Sequence, residues 1–241
     1  MTGSMAASYE RPNLKVKSTR SIPGPNSYIQ ALGGEFSSWA YDEEQCLAFK
    51  GKWRSEVFKT GKDALIDLEI GTGNGTHFAY HAQTQVERFI VGFELKYKPL
   101  IQSIRRAVRD GCTNARICRY DARLVCDVFA PSELSDVFVH FPDPYLKKRF
   151  HKKRLLNANF LQGLHQLQRE NTNLFFKTDS EEYYDWAMEN IRASRYSIVG
   201  ESRDLHRSQY ADGNFVTAFE NIFLRKNQPI FYAWLRKVRS D

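Results

Sequence analysis

Short apolar runs alternate with longer amphipathic segments from residue 64 onward. A short, mostly apolar run is typical of a buried strand, whereas apolar positions every three or four residues are typical of a helix. The runs at 64–70, 89–94, 115–120, 136–141 and 174–178 predict strands, and the segments at 76–82, 96–110, 154–168 and 181–193 predict helices. This alternation indicates a doubly wound α/β fold, in which a mostly parallel sheet carries helices on both faces.

The pattern changes near both ends of the chain. Residues 217–225 and 229–237 are strand-like and lie close together in sequence, which predicts an antiparallel hairpin that a strand at 196–199 can join. Residues 1–26 are polar with few large apolar side chains, so we expect a mobile tail. The aromatic-rich segment 27–63 is expected to pack on the main domain, formed by residues 64–241.

The composition of the chain indicates its net charge, the class of its partner and its cellular compartment. The chain has 241 residues, of which 42% are hydrophobic, enough for one α/β domain with extra segments. Its net charge of +7 favours a polyanionic partner. The sequence has no apolar stretch long enough to span a membrane and no signal-peptide core. The four cysteines lack C-x-x-C spacing, so we expect reduced thiols in a cytoplasmic protein, without a disulfide framework or a zinc site.

The first chemical motif is DLEIGTGNG at residues 67–75, where a predicted strand runs into a glycine-rich turn. Gly71 and Gly73 let the backbone approach a ligand closely. The spacing departs from the G-x-G-x-x-G of dinucleotide sites, and Glu69 would repel a pyrophosphate but suits a cation. The next predicted strand ends in Glu94, which can accept hydrogen bonds from both hydroxyls of a ribose. These features predict an adenosine ligand without a diphosphate, and S-adenosyl-L-methionine fits best.

The second motif is FPDPYLKKRFHKKR at residues 141–154. A two-proline turn carrying Asp143 follows a short apolar strand, at the strand end where α/β proteins bind ligands. Lysine, arginine and histidine dominate the basic run, which we define as residues 147–154. An acid beside a dense positive patch is what an enzyme acting on a polyanion needs. The alternative is a solvated helix start, because charge runs usually lie on the surface.

Several motifs along the chain resemble those of bacterial tRNA (guanine-N7-)-methyltransferases. They are EIGTG at 69–73, GFE at 92–94, YD at 120–121, FPDP with the following KKR at 141–149, TD at 178–179 and TAFE at 217–220. The resemblance implies a class I methyltransferase fold with a mostly parallel, seven-stranded sheet. It also implies that S-adenosyl-L-methionine is used to methylate guanine N7 in the variable loop of tRNA. Tyr145 stands where the family usually has tryptophan.

The resemblance also implies roles for individual residues. The cofactor site would be lined by Glu69, Gly71, Gly73, Glu94, Asp121 and Asp143, with Asp121 accepting from the adenine amino group. The substrate would contact Lys147, Asp179, Thr217, Phe219 and Glu220, and the tRNA phosphates would contact Lys148, Arg149, Lys152, Lys153 and Arg154. Guanine N7 has a lone pair and no proton. The catalytic role of Asp143 is therefore positioning and electrostatic stabilisation rather than proton abstraction.

Two other functions stay open at this point. A class I methyltransferase acting on another RNA, a small molecule or a protein would explain the glycine motif, and an inactive RNA-binding relative would explain the basic run. His77 and His81 are four residues apart on a predicted helix, as metal ligands can be. No third ligand motif lies nearby in the sequence, so we expect no metal. The protein is expected to be a monomer or a homodimer.

Overall fold

A computed structural model of the protein describes residues 8–238. Within this range one sheet contains eight strands in the order β1-β4-β3-β2-β5-β6-β8-β7. The strands are β1 (Ala40–Tyr41), β2 (Leu65–Ile70), β3 (Arg88–Phe93), β4 (Ala115–Cys118), β5 (Val137–His140), β6 (Thr172–Thr178), β7 (Ser197–Ser202) and β8 (Phe231–Lys237). Neighbouring strands from β1 to β6 pair in parallel, whereas β8 pairs antiparallel with both β6 and β7.

Helices cover both faces of the sheet. They are α1 (Ser27–Gly33), α2 (Glu43–Ala48), α3 (Thr76–Thr84), α4 (Tyr97–Arg109), α5 (Val125–Val128), α6 (Ala158–Leu167), α7 (Glu181–Arg192) and α8 (Ala218–Leu224). Buried apolar side chains form one cluster beneath α1, α3 and α4 and a second cluster beneath α5, α6 and α7. In the part of the chain that the structure describes, every helix is too short or too polar to cross a membrane.

The mostly parallel α/β sheet expected from the sequence is confirmed. The expected seven strands correspond to β2–β8, and the two-residue β1 adds an eighth by pairing with β4. The carboxyl ends of the parallel strands meet at one edge of this sheet, which is where ligands bind in open α/β folds.

The predicted hairpin at the end of the chain is wrong in its first strand. Residues 217–225 contain helix α8 instead, because Thr217 and Glu220 form a capping box at its start. Thr217 Oγ1 accepts from the Glu220 N–H (3.0 Å), and the Glu220 carboxylate accepts from the Thr217 N–H (3.2 Å). The antiparallel neighbours of β8 are β6 and β7, and β7 lies close to the strand that the sequence predicts at 196–199.

The predicted helix at 154–168 also begins later than expected. Helix α6 starts at Ala158, where the Asn157 side chain accepts from the Phe160 N–H (3.0 Å) and caps the helix. The preceding basic residues, Lys148–Lys153, form a short 3-10 helix. The basic run is therefore a separate turn between β5 and α6 rather than the first turn of α6.

The segments before the main domain lie against it. Arg11 pairs with Asp127 (2.7 Å), and Thr19 Oγ1 donates to Glu43 Oε2 (2.7 Å). Trp53 is fully buried, and its Nε1 donates to a backbone carbonyl (3.1 Å). Residues 1–7 of the predicted tail lie outside the described residues, and both its mobility and the domain boundaries at 26 and 63 stay predictions.

Candidate active site

The glycine turn after β2 forms the floor of a cavity at the carboxyl edge of the sheet. Gly71 and Gly73 have positive φ values of 75° and 56°, and Ser103 Oγ donates to the Gly73 carbonyl oxygen (3.0 Å). At Gly75, a Cβ atom would lie 2.4 Å from Ser103 Cα, so helices α3 and α4 approach each other only because this residue is glycine. The turn is thus both tight and fixed against α4.

The cavity above this turn has a volume of about 460 Å³. This volume lies within the range of small-molecule sites. Of the residues that the sequence predicts for the site, six line it: Glu69, Gly71, Gly73, Asp143, Thr217 and Phe219. The structure therefore brings the two chemical motifs and the start of α8 together around one space.

Two carboxylates stand at the ends of neighbouring strands. Glu69 is buried at the end of β2, and its Oε2 lies 2.8 Å from His77 Nδ1. Glu94, just after β3, accepts from the N–H groups of Gly73 (3.3 Å) and Lys96 (2.9 Å). Burial raises the pKa of Glu94 even though these N–H groups and Lys96 favour its charged form. One acid thus faces the cavity, and the other lies beside the glycine turn.

The turn carrying Asp143 is held in an unusual backbone conformation. Phe141 and Tyr145, on either side of it, have φ values of 51° and 43°, in the left-handed region that non-glycine residues rarely adopt. Such strain concentrates at functional sites and persists only where surrounding contacts hold it. Asp143 itself is exposed at the cavity wall and forms no hydrogen bond or ion pair within residues 8–238. Its carboxylate is available to a ligand.

The start of helix α8 forms another part of the cavity wall, and its Ala218 N–H lies 3.5 Å from Thr76 Oγ1, just after the glycine turn. Thr217 and Phe219 line the cavity, and the Phe219 ring is half-exposed. Glu220 is fully buried, with Oε2 2.8 Å from Lys177 Nζ and Oε1 2.7 Å from His206 Nε2. Burial alone would raise the pKa of Glu220, but Lys177 lowers it below its ordinary value. Glu220 therefore anchors α8 to β6 and points away from the substrate space predicted for it.

Three other predicted site residues lie outside the cavity wall. Asp121 pairs with Arg123 (2.5 Å) and caps a 3-10 turn after β4. Asp179 follows β6, and burial raises the pKa of its carboxyl group. Lys147 is fully solvent-facing at the start of the basic run. The roles predicted for these residues in adenine and guanine contact stay predictions.

The basic run divides into exposed cations and one buried cation. The exposed members are Lys147, Lys148, Arg149, Lys152 and Lys153. Arg154 is only 1% exposed, donates to the Pro144 carbonyl oxygen (2.8 Å) and pairs with Glu182 (2.6 Å). Its guanidinium also lies over the rings of Tyr183 and Trp186. The prediction that Arg154 binds RNA is contradicted by this burial, because the group is occupied inside the protein.

Sequence reasoning missed several residues of the cavity wall. They are Thr72, Asn74, Thr76, His77, Lys96, His140, Phe141, Ala218 and Ile222. Lys96 lies two residues after Glu94, and His140 directly precedes the second motif. Their closeness in sequence to the predicted motifs was therefore the signal that could have identified them. His77 was noticed only for its spacing from His81, but His81 pairs with Asp67 (2.8 Å) instead.

Comparison with known proteins identifies the family. Residues 63–233 match a family described as putative methyltransferase. The tRNA (guanine-N(7)-)-methyltransferase of Bdellovibrio bacteriovorus is 49% identical over 208 residues, which cover 86% of this chain and 100% of that protein. This chain belongs to the tRNA (guanine-N7)-methyltransferase family. Another family member, from Bacillus subtilis, is 30% identical over 185 residues, covering 77% of this chain and 85% of that protein.

Solved structures show the same fold at much lower identity. The 16S rRNA methyltransferase KamB aligns with a TM-score of 0.54 at 12% identity, covering 81% of this chain and 92% of that chain. A SAM-dependent methyltransferase from Aquifex aeolicus aligns with a TM-score of 0.52 at 10% identity, covering 81% and 98%. The sheet of this tRNA (guanine-N7)-methyltransferase family member therefore has the class I methyltransferase fold.

Proposed function

We propose that this protein transfers a methyl group from S-adenosyl-L-methionine to guanine N7 in the variable loop of tRNA. The observation that carries the proposal is the shared cavity, which both the glycine turn and the Asp143 turn line, with five exposed cations following Asp143 closely in the chain. The relatives named as tRNA (guanine-N(7)-)-methyltransferases support the same reaction. We place the enzyme in the cytoplasm with its tRNA substrate, as a monomer or a homodimer.

The cavity fits the cofactor in size and in charge. Its glycine floor leaves room for a ligand, since a Cβ at Gly71 would meet no heavy atom within 4 Å. Glu94, which accepts from the Gly73 N–H beside the glycine turn, would accept from ribose hydroxyls, and Glu69 would offer a buried negative charge to the cationic part of the molecule. When bound, S-adenosyl-L-methionine supplies an electrophilic methyl group on a sulfonium. Glu69 and Glu94 would orient it by its charge and its ribose.

The role of Asp143 follows from the charge that moves during the reaction. Guanine N7 attacks with its own lone pair, so no base has to remove a proton. Positive charge develops on the purine as the methyl group arrives, and a carboxylate beside the ring stabilises that charge. Asp143 is free of internal partners at the cavity wall and can also accept from the guanine N1–H or amino group. Its strained turn fixes this position before the substrate binds.

The substrate has to present a base that is normally held within folded tRNA. RNA's major groove is too deep and narrow for side chains to reach N7 directly, so the guanosine must be turned out of its contacts. The exposed lysines and Arg149 of the basic run would hold the neighbouring phosphates. The Phe219 ring is half-exposed at the cavity and would stack on the purine.

The experiment uses an unmodified tRNA transcript, S-adenosyl-L-methionine labelled in its methyl group, and nucleoside analysis by mass spectrometry. The expected product is 7-methylguanosine, mapped by nuclease digestion to the variable loop. A transcript with adenosine at that position is the matched control and should accept no label there. Label in another nucleoside, or at guanosines outside the variable loop, would contradict the proposal.

A further inference from the structure

Three side chains capable of binding a metal ion meet between the cofactor cavity and a second cavity. Glu69, His77 and His140 each offer a ligand atom, and within residues 8–238 these atoms lie no more than 4.8 Å apart. They come from the end of β2, the first turn of α3 and the end of β5. The sequence predicts no metal because these residues are far apart in the chain.

The spacing of the ligand atoms is close to that of a zinc site. Around a tetrahedral zinc ion with bonds of about 2.0–2.1 Å, ligand atoms are about 3.3–3.4 Å apart. Glu69 Oε2 and His77 Nδ1 are 2.8 Å apart in a hydrogen bond, so the two atoms would separate by about 0.5–0.6 Å and His77 Nδ1 would lose its proton when an ion binds between them. The third ligand atom, on His140, lies no more than 4.8 Å from the other two, so it would have to approach by at most about 1.4 Å. Two histidines and a glutamate form a known type of zinc site with one open position.

The third ligand has an unused nitrogen. Nδ1 of His140 is buried and has no hydrogen-bond partner in the described chain, whereas buried polar atoms are normally paired. Its ring lies 4.6 Å from that of His77, centroid to centroid, in an edge-to-face arrangement. Nδ1 is one of the two nitrogens through which the His140 ring can bind a metal ion, and an ion bound there would satisfy it.

The surrounding charges also permit a cation. The electrostatic influence of Lys177 extends to both His140 and Glu69. This lysine is paired with Glu220 (2.8 Å), which offsets its positive charge, and the Glu69 carboxylate, which is hydrogen-bonded to His77, is the negative group that an ion would meet. His77 and His140 also line the second cavity, of about 630 Å³, which provides a route from solvent and room for water at the open position.

We propose that Glu69, His77 and His140 bind one Zn²⁺ ion, and that Zn²⁺ and S-adenosyl-L-methionine exclude each other. The second half of this proposal rests on the proposed function, because it requires Glu69 to face the cationic part of the cofactor. A carboxylate that coordinates zinc cannot stabilise the cationic part of the cofactor at the same time. Zinc would thus inhibit methyl transfer by competing with the cofactor rather than with tRNA.

The first test measures metal binding directly, without activity. Untagged protein is titrated with Co²⁺, whose visible absorption reports the coordination geometry, and then with Zn²⁺ in a chelator buffer. We expect one equivalent per chain, with a tetrahedral Co²⁺ spectrum that Zn²⁺ abolishes. No saturable binding at one equivalent would overturn the site.

Variants assign the ligands. His140→Ala removes an unpartnered nitrogen, and Glu69→Gln keeps the shape of the side chain. If only one of the two variants folds, that variant still tests the assignment. Each should weaken Zn²⁺ binding by more than the roughly 10–100-fold that loss of an outer-shell partner costs. The control is His151→Ala, which removes a histidine from the basic run, and its Zn²⁺ affinity should match the parent protein. Equal affinities in all of these proteins would refute the assignment.

The second test separates the metal site from the cofactor site. Calorimetry with S-adenosyl-L-methionine, in the absence of tRNA, is repeated at fixed Zn²⁺ concentrations, and its apparent affinity should fall as the metal site fills. Unchanged affinity at saturating zinc would overturn mutual exclusion. Zinc binding without any binding of S-adenosyl-L-methionine would contradict the cofactor assignment in the proposed function and also the exclusion, but it would support the metal site.

Discussion

The basic run provides the most quantitative test of tRNA binding. Lys148, Lys152 and Lys153 are exposed and form no ion pair within the described residues, although Lys153 Nζ lies over the Phe150 ring, so each is available to a phosphate. Each phosphate contact releases condensed counterions and contributes a slope of about −0.9 to log affinity against log salt on a duplex, or about −0.7 on a single strand. Changing all three lysines to glutamine should therefore flatten the slope by about 2 to 3 units.

The slope change has a direct consequence for affinity. Between about 50 and 200 mM salt, the parent protein should lose about 20–40-fold more tRNA affinity than the triple variant loses. The assay is fluorescence anisotropy with a labelled tRNA transcript over a salt series, with S-adenosylhomocysteine present at constant concentration. Cofactor affinity should be unchanged, because the three lysines lie outside the cavity wall.

The matched control removes the same charge from the opposite edge of the sheet. Lys59 and Lys62 precede β2, and Arg109 ends α4, so all three lie near the amino ends of the strands. Changing them to glutamine also removes three positive charges. If the two triple variants show the same slope of log affinity against log salt, only the net charge of the protein determines the salt dependence of tRNA binding. A lysine variant with the parental slope would mean that the basic run is a solvated surface and that tRNA is held elsewhere.

Three further predictions concern single side chains. Asp143→Asn should slow single-turnover methyl transfer by ~10²–10³, measured by rapid quench, because a negative charge beside the developing purine cation is lost. Glu94→Ala should weaken S-adenosylhomocysteine binding by about 1.5–3 kcal/mol in calorimetry, since two ribose hydroxyls lose a charged acceptor. Arg154→Ala should destabilise the fold by about 1.5–3 kcal/mol in denaturant unfolding, because buried charge-assisted hydrogen bonds are lost. Lys153→Ala, at an exposed neighbouring position, should change stability by less than about 0.5 kcal/mol.

Each of these has a contrary outcome. A near-parental single-turnover rate for Asp143→Asn would exclude its electrostatic role, whereas a loss confined to cofactor affinity would assign it to binding. Unchanged calorimetry for a folded Glu94→Ala protein would remove the ribose contact. Equal stability of the Arg154 and Lys153 variants would mean that the buried guanidinium contributes nothing beyond an exposed lysine.

The parallel part of the fold could be predicted because its signals are local. A buried strand is a short apolar run, and the glycine turn follows such a run directly, so both can be recognised within about ten residues. The same holds for the placement of Glu69 and Asp143, since each lies at or just beyond a strand end. The carboxyl edge of a parallel sheet then brings them together whatever the loops between them do.

Two of the wrong predictions differ in whether the sequence held a contrary signal. Residues 217–225 contain β-branched and aromatic side chains that favour a strand, but Thr217 and Glu220 are three residues apart, which is the spacing of a capping box. The signal was therefore present in the sequence. Arg154 carried no such signal. Its burial depends on Glu182 and the aromatic rings of α7, which approach it only in the folded protein.

The buried arginine has a mechanical consequence. Arg154 ends the basic run and donates to the carbonyl oxygen of Pro144, one residue after Asp143. One side chain thus connects the segment that would hold the tRNA phosphates with the turn that would meet the base. This side chain is itself paired with Glu182 of α7. If the proposed roles hold, a displacement of the basic run on tRNA would also displace the Asp143 turn through Arg154. How accurately tRNA is positioned would then affect how accurately the Asp143 carboxylate meets the purine.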